Sequence, residues 1–305
     1  MIPPSWLRLL RRSTLLLATG AGALATIYFS HWDDRFWLLL KERATPVAQR
    51  LSSVWLPDYQ AVIEAKALPG LAEDETSGLT YNPASGTLFA VTGRNPSLVE
   101  LSRDGEVLRR IELRGFSDPE AVEVLDAGRM AIVDERRSTL LAFDLEQLAP
   151  TLYAENLQAH PLGFADAGNK GFEGMAWDAR SQTLLLAKER APLGLFSMPF
   201  ASDEQEVGAL SALSYGNLGV RDISSLSIDP RTGHTLVLSD ESRLLLELDR
   251  SGEPVSFLSL SAGLNGLARS IRQAEGVAMD EQGDIYIVAE PNLFYRFRRA
   301  RPDAS

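Results

Sequence analysis

The 305-residue chain contains no cysteine and only three histidines, His31, His160 and His234. The absence of cysteine excludes disulfides, thiol nucleophiles and cysteine-ligated metals. Zinc, which prefers nitrogen and sulfur ligands, is therefore not expected. The GxSxG, HExxH, Walker and dinucleotide-binding motifs are also absent, so the sequence predicts no nucleotide cofactor.

Basic residues are scarce, and the formal net charge is −11. Residues 1–43 hold six cationic and three anionic side chains, a net charge of +3, so the remainder of the chain carries −14. Binding to a phosphate backbone needs a basic surface, and this composition excludes nucleic acid as a partner. An acidic surface of this kind favours the capture of cations.

What the chain does contain is a seven-residue pattern that occurs five times. The copies are TSGLTYN from Thr76, PEAVEVL from Pro119, FEGMAWD from Phe172, ISSLSID from Ile223 and AEGVAMD from Ala274. They are separated by 43, 53, 51 and 51 residues, a spacing typical of propeller blades. The glycines at the third position, Gly78, Gly174 and Gly276, are expected to let neighbouring blades approach closely near the axis.

Each copy is followed by a turn, a short apolar run and a third strand-like segment, which together predict an antiparallel meander. We therefore predict an all-β, five-bladed β-propeller over residues 60–300. A sixth blade is the alternative, because residues 146–171 and 201–221 are long enough to contain additional strands. The last repeat lacks a fourth strand, and the run at residues 61–68 is predicted to complete it and close the ring.

The N-terminal part contains one long uncharged, mostly apolar run, residues 13–29, which predicts a transmembrane helix in contact with the lipid bilayer. Arg8, Arg11 and Arg12 precede it, so the N-terminus is expected inside and the propeller outside. The competing interpretation is a cleaved secretory signal. The predicted organisation is a cytoplasmic tip, anchor and flank at residues 1–43, a linker at 44–59, the propeller, and a tail at 301–305.

Acidic side chains recur at two positions of the repeat, at the start of the first strand and at the end of the second. These two ends are adjacent in an antiparallel hairpin, so both sets should meet at one mouth of the central channel. The candidate metal ligands are Glu120, Glu135, Glu173, Glu189, Asp240, Glu275 and Glu290. The candidate ligand-binding cations beside them are Arg94, Arg136, Lys188 and Arg190.

Three interpretations of this mouth remain open at the level of sequence. Crowded carboxylates raise one another's pKa unless cations intervene, and Ca²⁺ accepts six to eight oxygen ligands. Alternatively, the acids and arginines bind a small polar ligand. The third interpretation is structural: the acids accept hydrogen bonds from backbone N–H groups of the next blade and lock the blades together.

The motif E-G-[LMV]-A, followed by an apolar strand that ends in glutamate, resembles the SdiA-regulated (YjiK-like) family of bacterial cell-envelope β-propellers. The clearest matches are FEGMAWD from Phe172, AEGVAMD from Ala274, LLLAKE from Leu184 and IYIVAE from Ile285. The resemblance covers roughly residues 58–300 and the anchor, and its motifs are shared in part with phytase-like and gluconolactonase-like propellers. The resemblance implies a cell-envelope β-propeller that can hold calcium, and it implies no established reaction. Together with the anchor, it predicts a single-pass protein of the bacterial cytoplasmic (inner) membrane with its propeller in the periplasm or outside.

The sequence therefore favours a binding protein, for a divalent cation such as calcium together with a small polar ligand or an envelope partner. The enzymatic alternative is a metal-dependent hydrolase acting on a phosphoester or a lactone, with carboxylates that hold the ion and one that serves as base. The third alternative is an interaction scaffold that uses the rim loops. Ser77 and Ser224 replace the glutamate of the other copies, and Gly93 replaces an acid at the second position, so blades 1 and 4 are expected to contribute less to a metal site.

Overall fold

The computed structural model describes residues 14, 18–22, 32–163, 171–190, 193–200 and 207–300. Within these ranges the five repeats form five antiparallel sheets, the blades of a propeller. The innermost strands coincide with the repeated motif: β2 (Thr76–Asn82), β6 (Pro119–Val124), β11 (Phe172–Asp178), β15 (Ser225–Ile228) and β19 (Ala274–Met279). Each inner strand contacts those of the two neighbouring blades, which closes a ring around a central channel.

The remaining strands follow outward in each blade. The second strands are β3 (Thr87–Thr92), β7 (Arg129–Asp134), β12 (Thr183–Lys188), β16 (Thr235–Ser239) and β20 (Ile285–Ala289). The third strands are β4 (Ser97–Leu101), β8 (Thr139–Asp144), β13 (Gly194–Pro199), β17 (Leu244–Leu248) and β21 (Leu293–Arg299). The outer strands are β5 (Val107–Arg114), β10 (Gln158–Pro161), β14 (Ser211–Ala212), β18 (Pro254–Ser259) and β1 (Tyr59–Ala67).

The predicted ring closure is confirmed. Strand β1 pairs antiparallel with β21, from Tyr59 opposite Arg299 to Ala67 opposite Leu293, and so supplies the fourth strand of the last blade from the beginning of the domain. The described part of the segments in which we considered a sixth blade contains β10, β14 and a short strand, β9 (Thr151–Tyr153), that adds in parallel to β5. The described chain therefore has five blades.

An apolar cluster fills each of the five gaps between neighbouring blades. Alternate residues of a strand point to opposite faces, so each inner strand supplies both of its neighbours. In β11, Met175 packs toward the second blade and Ala176 toward the fourth. Stacking of this kind buries faces that no blade could bury alone.

Glycines at the third motif position allow the blades to meet near the axis, as predicted. A Cβ on Gly276 would lie 2.8 Å from the carbonyl carbon of Gly78 in the next blade. One on Gly174 would lie 3.0 Å from Cγ of Leu226. Since real Cβ atoms hardly ever approach other atoms so closely, a larger side chain at Gly276 would force two inner strands apart.

Between residue 32 and the propeller the chain forms two helices, α1 (Trp32–Ala44) and α2 (Val47–Leu51), and α1 lies against β18 of the fourth blade. Leu38 of α1 is buried in the cluster between the third and fourth blades. Arg35 Nη2 donates to Ser261 Oγ at 2.6 Å, and Lys41 pairs with Glu253 at 3.0 Å. The helix that follows the apolar run is thus fixed to the propeller rim.

The segment predicted as a linker, residues 44–59, contains α2, a 3-10 turn at Leu56–Asp58 and the first residue of β1. Val54 and Leu56 are buried in the core between the fourth and fifth blades. The fully buried carboxylate of Glu247 accepts hydrogen bonds from the backbone N–H groups of Val54 (2.8 Å) and Trp55 (3.0 Å). Glu247 therefore fixes the chain that leads into the propeller.

Of the predicted membrane span at residues 13–29, the structure describes only residues 14 and 18–22, which are helical. The rest of that span, residues 1–12 and the tail at 301–305 lie outside the described residues. None of the helices that the structure describes is long and apolar enough to cross a membrane.

Candidate functional site at the acidic mouth

The inner strands all begin at the same end of the channel, and this end carries the predicted carboxyl groups. Glu120, Glu173 and Glu275 occupy the second position of their motifs in three blades. The carboxyls of Glu275, Glu120 and Glu135 each influence the pKa of Glu173, which places all four in one electrostatic environment. The two predicted rings of acids therefore meet at one mouth.

Burial and like charge keep the inner carboxyls protonated at neutral pH. Burial is the largest cause that raises the pKa of Glu173 to about 9, and the neighbouring acids raise it further. The pKa of Glu275 rises to about 8 for the same two reasons, and Asp240 and Glu290 are the acids with the largest effect on it. These neighbours are all carboxyl groups, so in both cases repulsion adds to the cost of desolvation.

Glu120 forms the centre of the tightest acidic cluster. One oxygen from each of Asp118, Glu120 and Glu135 lies within 4.8 Å of the others, a grouping that no other set of acids or histidines in the described ranges forms. Burial raises the pKa of Glu120 to about 8, Ser77 lowers it by hydrogen bonding, and Asp118 and Glu135 raise it. Three carboxyls at this separation match the oxygen-rich coordination of a hard divalent cation.

Two acids of the second ring contact the next blade. Glu135 Oε1 accepts a hydrogen bond from Gly171 N at 2.6 Å, just before β11. Asp240 Oδ1 accepts one from Ala274 N at 3.3 Å, at the start of β19. These bonds are the ones that the structural interpretation predicts.

The predicted cations lie at the rim and are engaged there by acids or carbonyls. Arg136 Nη2 pairs with Asp118 Oδ2 at 2.9 Å, and Lys188 Nζ donates to the carbonyl of Arg190 at 3.0 Å. Arg190 pairs with Glu189 and, at 2.5 Å, with Glu241. The cation of the first blade, Arg94, pairs with Glu75, which itself raises the pKa of Glu290. These rim acids are therefore paired with cations, whereas the ion pairs of the described residues do not include Glu120, Glu173 or Glu275.

Two copies of the motif have serine instead of glutamate at the second position, and these serines have a different role. Ser77 Oγ donates to the carbonyl of Glu120 at 3.0 Å, and Ser224 Oγ donates to the carbonyl of Ala274 at 2.6 Å. Each hydroxyl joins its inner strand to that of a neighbouring blade. In the first blade, a Cβ on Gly93 would lie 3.7 Å from Glu120 Oε1, so the missing side chain leaves space beside the cluster.

Asp118 was not among the metal ligands predicted from the sequence. The structure makes it a full member of the cluster with Glu120 and Glu135. Its signal in the sequence was the acid directly before the motif that starts at Pro119. Asp222 also lies beside its motif, but it accepts from Ser239 and from the backbone N–H of Glu241.

A family model described as SdiA-regulated matches residues 51–298, which include every blade. The chain belongs to the SdiA-regulated family. The expectation drawn from the E-G-[LMV]-A motif is thereby confirmed. The match begins at the end of α2, so it includes the buried segment that leads into β1 as well as the five repeats.

This family member is similar to several solved structures. An auxiliary nutrient binding protein from Bacteroides thetaiotaomicron is 8% identical over 79% of this chain and 76% of that chain, with a TM-score of 0.51. A virginiamycin B lyase from Staphylococcus aureus is 10% identical over 81% of this chain and 76% of that one, with a TM-score of 0.43. At these identities the likeness extends to the fold alone.

Proposed function

We propose that this SdiA-regulated protein is a membrane-anchored, extracytoplasmic binding protein whose acidic mouth holds a divalent cation, calcium, and presents it to a small polar ligand or an envelope partner. The observation that carries the proposal is the cluster of Asp118, Glu120 and Glu135. Ca²⁺ prefers carboxylate and carbonyl oxygens, and the cluster supplies several of them at the wall of an open channel.

The charge around the cluster supports a cation rather than an anion. Glu173 and Glu275 lie at the same mouth, and the charged groups with the largest effects on them are carboxyls. A divalent cation would favour ionisation of these groups and remove the repulsion between them. A polar ligand could then bind the ion from the channel side, next to the arginines of the rim.

Calcium is expected to raise the unfolding temperature of the full-length protein in mild detergent, relative to the protein in EDTA. A ligand at one hundred times its dissociation constant stabilises the folded state by about 2.7 kcal/mol. For a chain of this size that corresponds to a shift of roughly 5–10 °C. Glu120→Gln, which keeps the shape of the side chain and removes its charge, should abolish the shift.

The matched control is Glu106→Gln. Glu106 is an exposed residue of the β4–β5 turn that pairs with Lys66 of β1. Calcium should raise the unfolding temperature of this variant as much as that of the unmodified protein. Magnesium, which demands a smaller octahedral site, should stabilise less than calcium. An unfolding temperature that calcium leaves unchanged would refute the metal proposal. A shift that persists in Glu120→Gln would place the ion elsewhere.

Attachment to the lipid bilayer is supported by the surface that α1 leaves exposed. Phe36, Leu39 and Leu40 are 64%, 40% and 53% exposed, while Leu38 on the opposite side is buried against the fourth blade. This exposed apolar face begins seven residues after the apolar run at 13–29. We infer that the run crosses the membrane and that α1 lies at the membrane surface, which holds the propeller close to the bilayer.

Fractionation of a Gram-negative host that expresses the full chain tests the anchor. Nearly all of the protein should remain in the membrane pellet after an alkaline carbonate wash, and an externally added protease should reach the propeller only after the outer membrane is opened. A soluble periplasmic protein that has lost the apolar run at residues 13–29 would instead establish the cleaved-signal interpretation.

A further inference from the structure

The opposite mouth of the channel has a different chemistry. The sixth residue of every motif lies at this end, and these residues form a collar of large apolar side chains: Tyr81, Val124, Trp177, Ile228 and Met279. Together with the turns that follow the inner strands, they line a cavity of about 280 Å³. A volume of this size is at the lower end of the range for small-molecule sites.

One carboxyl group interrupts this collar. Glu123 occupies the fifth motif position, where the other four copies have threonine, alanine or serine. It lines the cavity together with Thr80 and Trp177. Burial raises the pKa of Glu123 well above its ordinary value, and no cationic side chain is among the groups that shift it. A carboxyl in such a place lacks a counter-charge.

The other charged groups that face the cavity are mainly acidic. Four of them are acids and one is a cation: Asp126, Asp178, Asp229, Glu281 and Arg180. The guanidinium of Arg180 donates to the carbonyls of Thr232 (3.2 Å) and Pro230 (3.3 Å), which holds it at the turn of the fourth blade. Arg231 forms an ion pair with Asp229 at 2.9 Å. Arg103 pairs with Asp280 at 3.6 Å, and it also affects the pKa of Tyr81 and of Glu281.

A second observation points to a ligand in the same place. The indole Nε1 of Trp177 is buried and has no hydrogen-bond partner in the described structure, although buried indole N–H groups usually find one. Trp177 lines the cavity beside Glu123. An oxygen of a bound molecule would satisfy this donor, and a positive charge would satisfy Glu123.

We propose that the second mouth is a binding site for a small organic cation, an amine or guanidinium compound that also carries an oxygen acceptor. Glu123 is the counter-ion, Trp177 donates to the oxygen, and the rings of Tyr81 and Trp177 offer their faces to the cation. This site is separate from the acidic mouth, because Glu120 and Glu123 lie toward opposite ends of β6. Its ligand does not depend on a metal ion.

Isothermal titration of the full-length protein in detergent with EDTA tests the proposal. The probes are ethanolamine, choline and argininamide, each of which carries both a cationic group and an oxygen acceptor, with ethylene glycol as the uncharged comparison. We expect at least one of the cations to bind and ethylene glycol to give no heat. Glu123→Gln should weaken binding by at least about tenfold, because the cation loses its counter-charge. Trp177→Phe, which keeps an aromatic ring and removes the N–H group, should reduce the affinity for ethanolamine less strongly.

Binding of a cation should also release a proton from Glu123, so the observed heat should change between buffers of different ionisation enthalpy. This dependence should disappear in Glu123→Gln, whose unfolding transition shows whether it is folded. The matched control is Glu112→Gln, at an exposed carboxylate on β5 that pairs with Arg114. If none of the three cations binds, or if Glu123→Gln binds them as well as the unmodified protein, the collar only seals the channel and the proposal fails.

Discussion

Replacing residues 59–67 with a Gly-Ser segment of equal length is expected to abolish cooperative folding of the propeller. The replacement removes β1, so β21 would become an unpaired edge and the last blade would lose its fourth strand. It also removes Tyr59, whose buried ring packs in the core and whose hydroxyl donates to the carbonyl of Gly283 at 2.9 Å. Folded domains have only about 5–15 kcal/mol of net stability, and the loss of a whole closing strand is comparable with that total.

Urea denaturation followed by circular dichroism measures this effect. The unmodified chain should unfold in one transition, and the replaced chain should show a broad transition or none. The register of the pairing supplies a control, because Tyr59 lies opposite Arg299. The same nine residues, attached after residue 300 through an Asn-Gly turn, would form a hairpin with β21 and should restore the transition. A replaced chain that unfolds like the original would refute the closure.

Metal-free protein is expected to become less stable as the pH rises from about 6 to about 9. A glutamate side chain has an ordinary pKa of 4.5. In the folded state the pKa is raised to about 8 in Glu120 and Glu275 and to about 9 in Glu173. Between those values the folded state holds protons that the unfolded chain has lost. Unfolding therefore releases protons, and each proton that differs between the two states costs stability by up to about 1.4 kcal/mol per pH unit.

Denaturant unfolding in EDTA at a series of pH values checks this prediction. Glu173→Gln cannot lose a proton, so its stability should fall less steeply over the same range, and Glu106→Gln should follow the unmodified protein. Calcium should reverse the trend, since it binds the ionised carboxylates and competes with protons. Stability that is constant or rises between pH 6 and pH 9 would show that the inner carboxyls are ionised in the folded state.

The two mouths of the channel differ in their chemistry. Acids at the second motif position create the first mouth, and apolar side chains at the sixth position create the second. Both sets belong to the same five strands, so one repeat places two kinds of chemistry at a fixed separation along one axis. The rim cations already pair with acids, so the inner carboxyls, which burial and like charge keep protonated, are the groups that a bound cation would ionise.

The sequence by itself determined the inner strands and the closing strand, and it favoured five blades over the alternative of six. These features depend on local patterns, namely the alternation of apolar residues, the turn residues and the repeat spacing, and each repeat carries its own copy. It also placed the acids at one mouth, because hairpin geometry fixes which strand ends are adjacent. The small residues near the axis could be predicted for the same reason.

Only the tertiary structure decided which partner each of these side chains contacts. It assigned Glu135 and Asp240 to backbone N–H groups of the next blade, and Arg136 to Asp118. It packed the segment before β1 onto Glu247, and it gathered the sixth motif residues into a collar around Glu123. These contacts join residues that are far apart in the chain, and a periodic pattern records which face a residue lies on but not which distant residue lies opposite it.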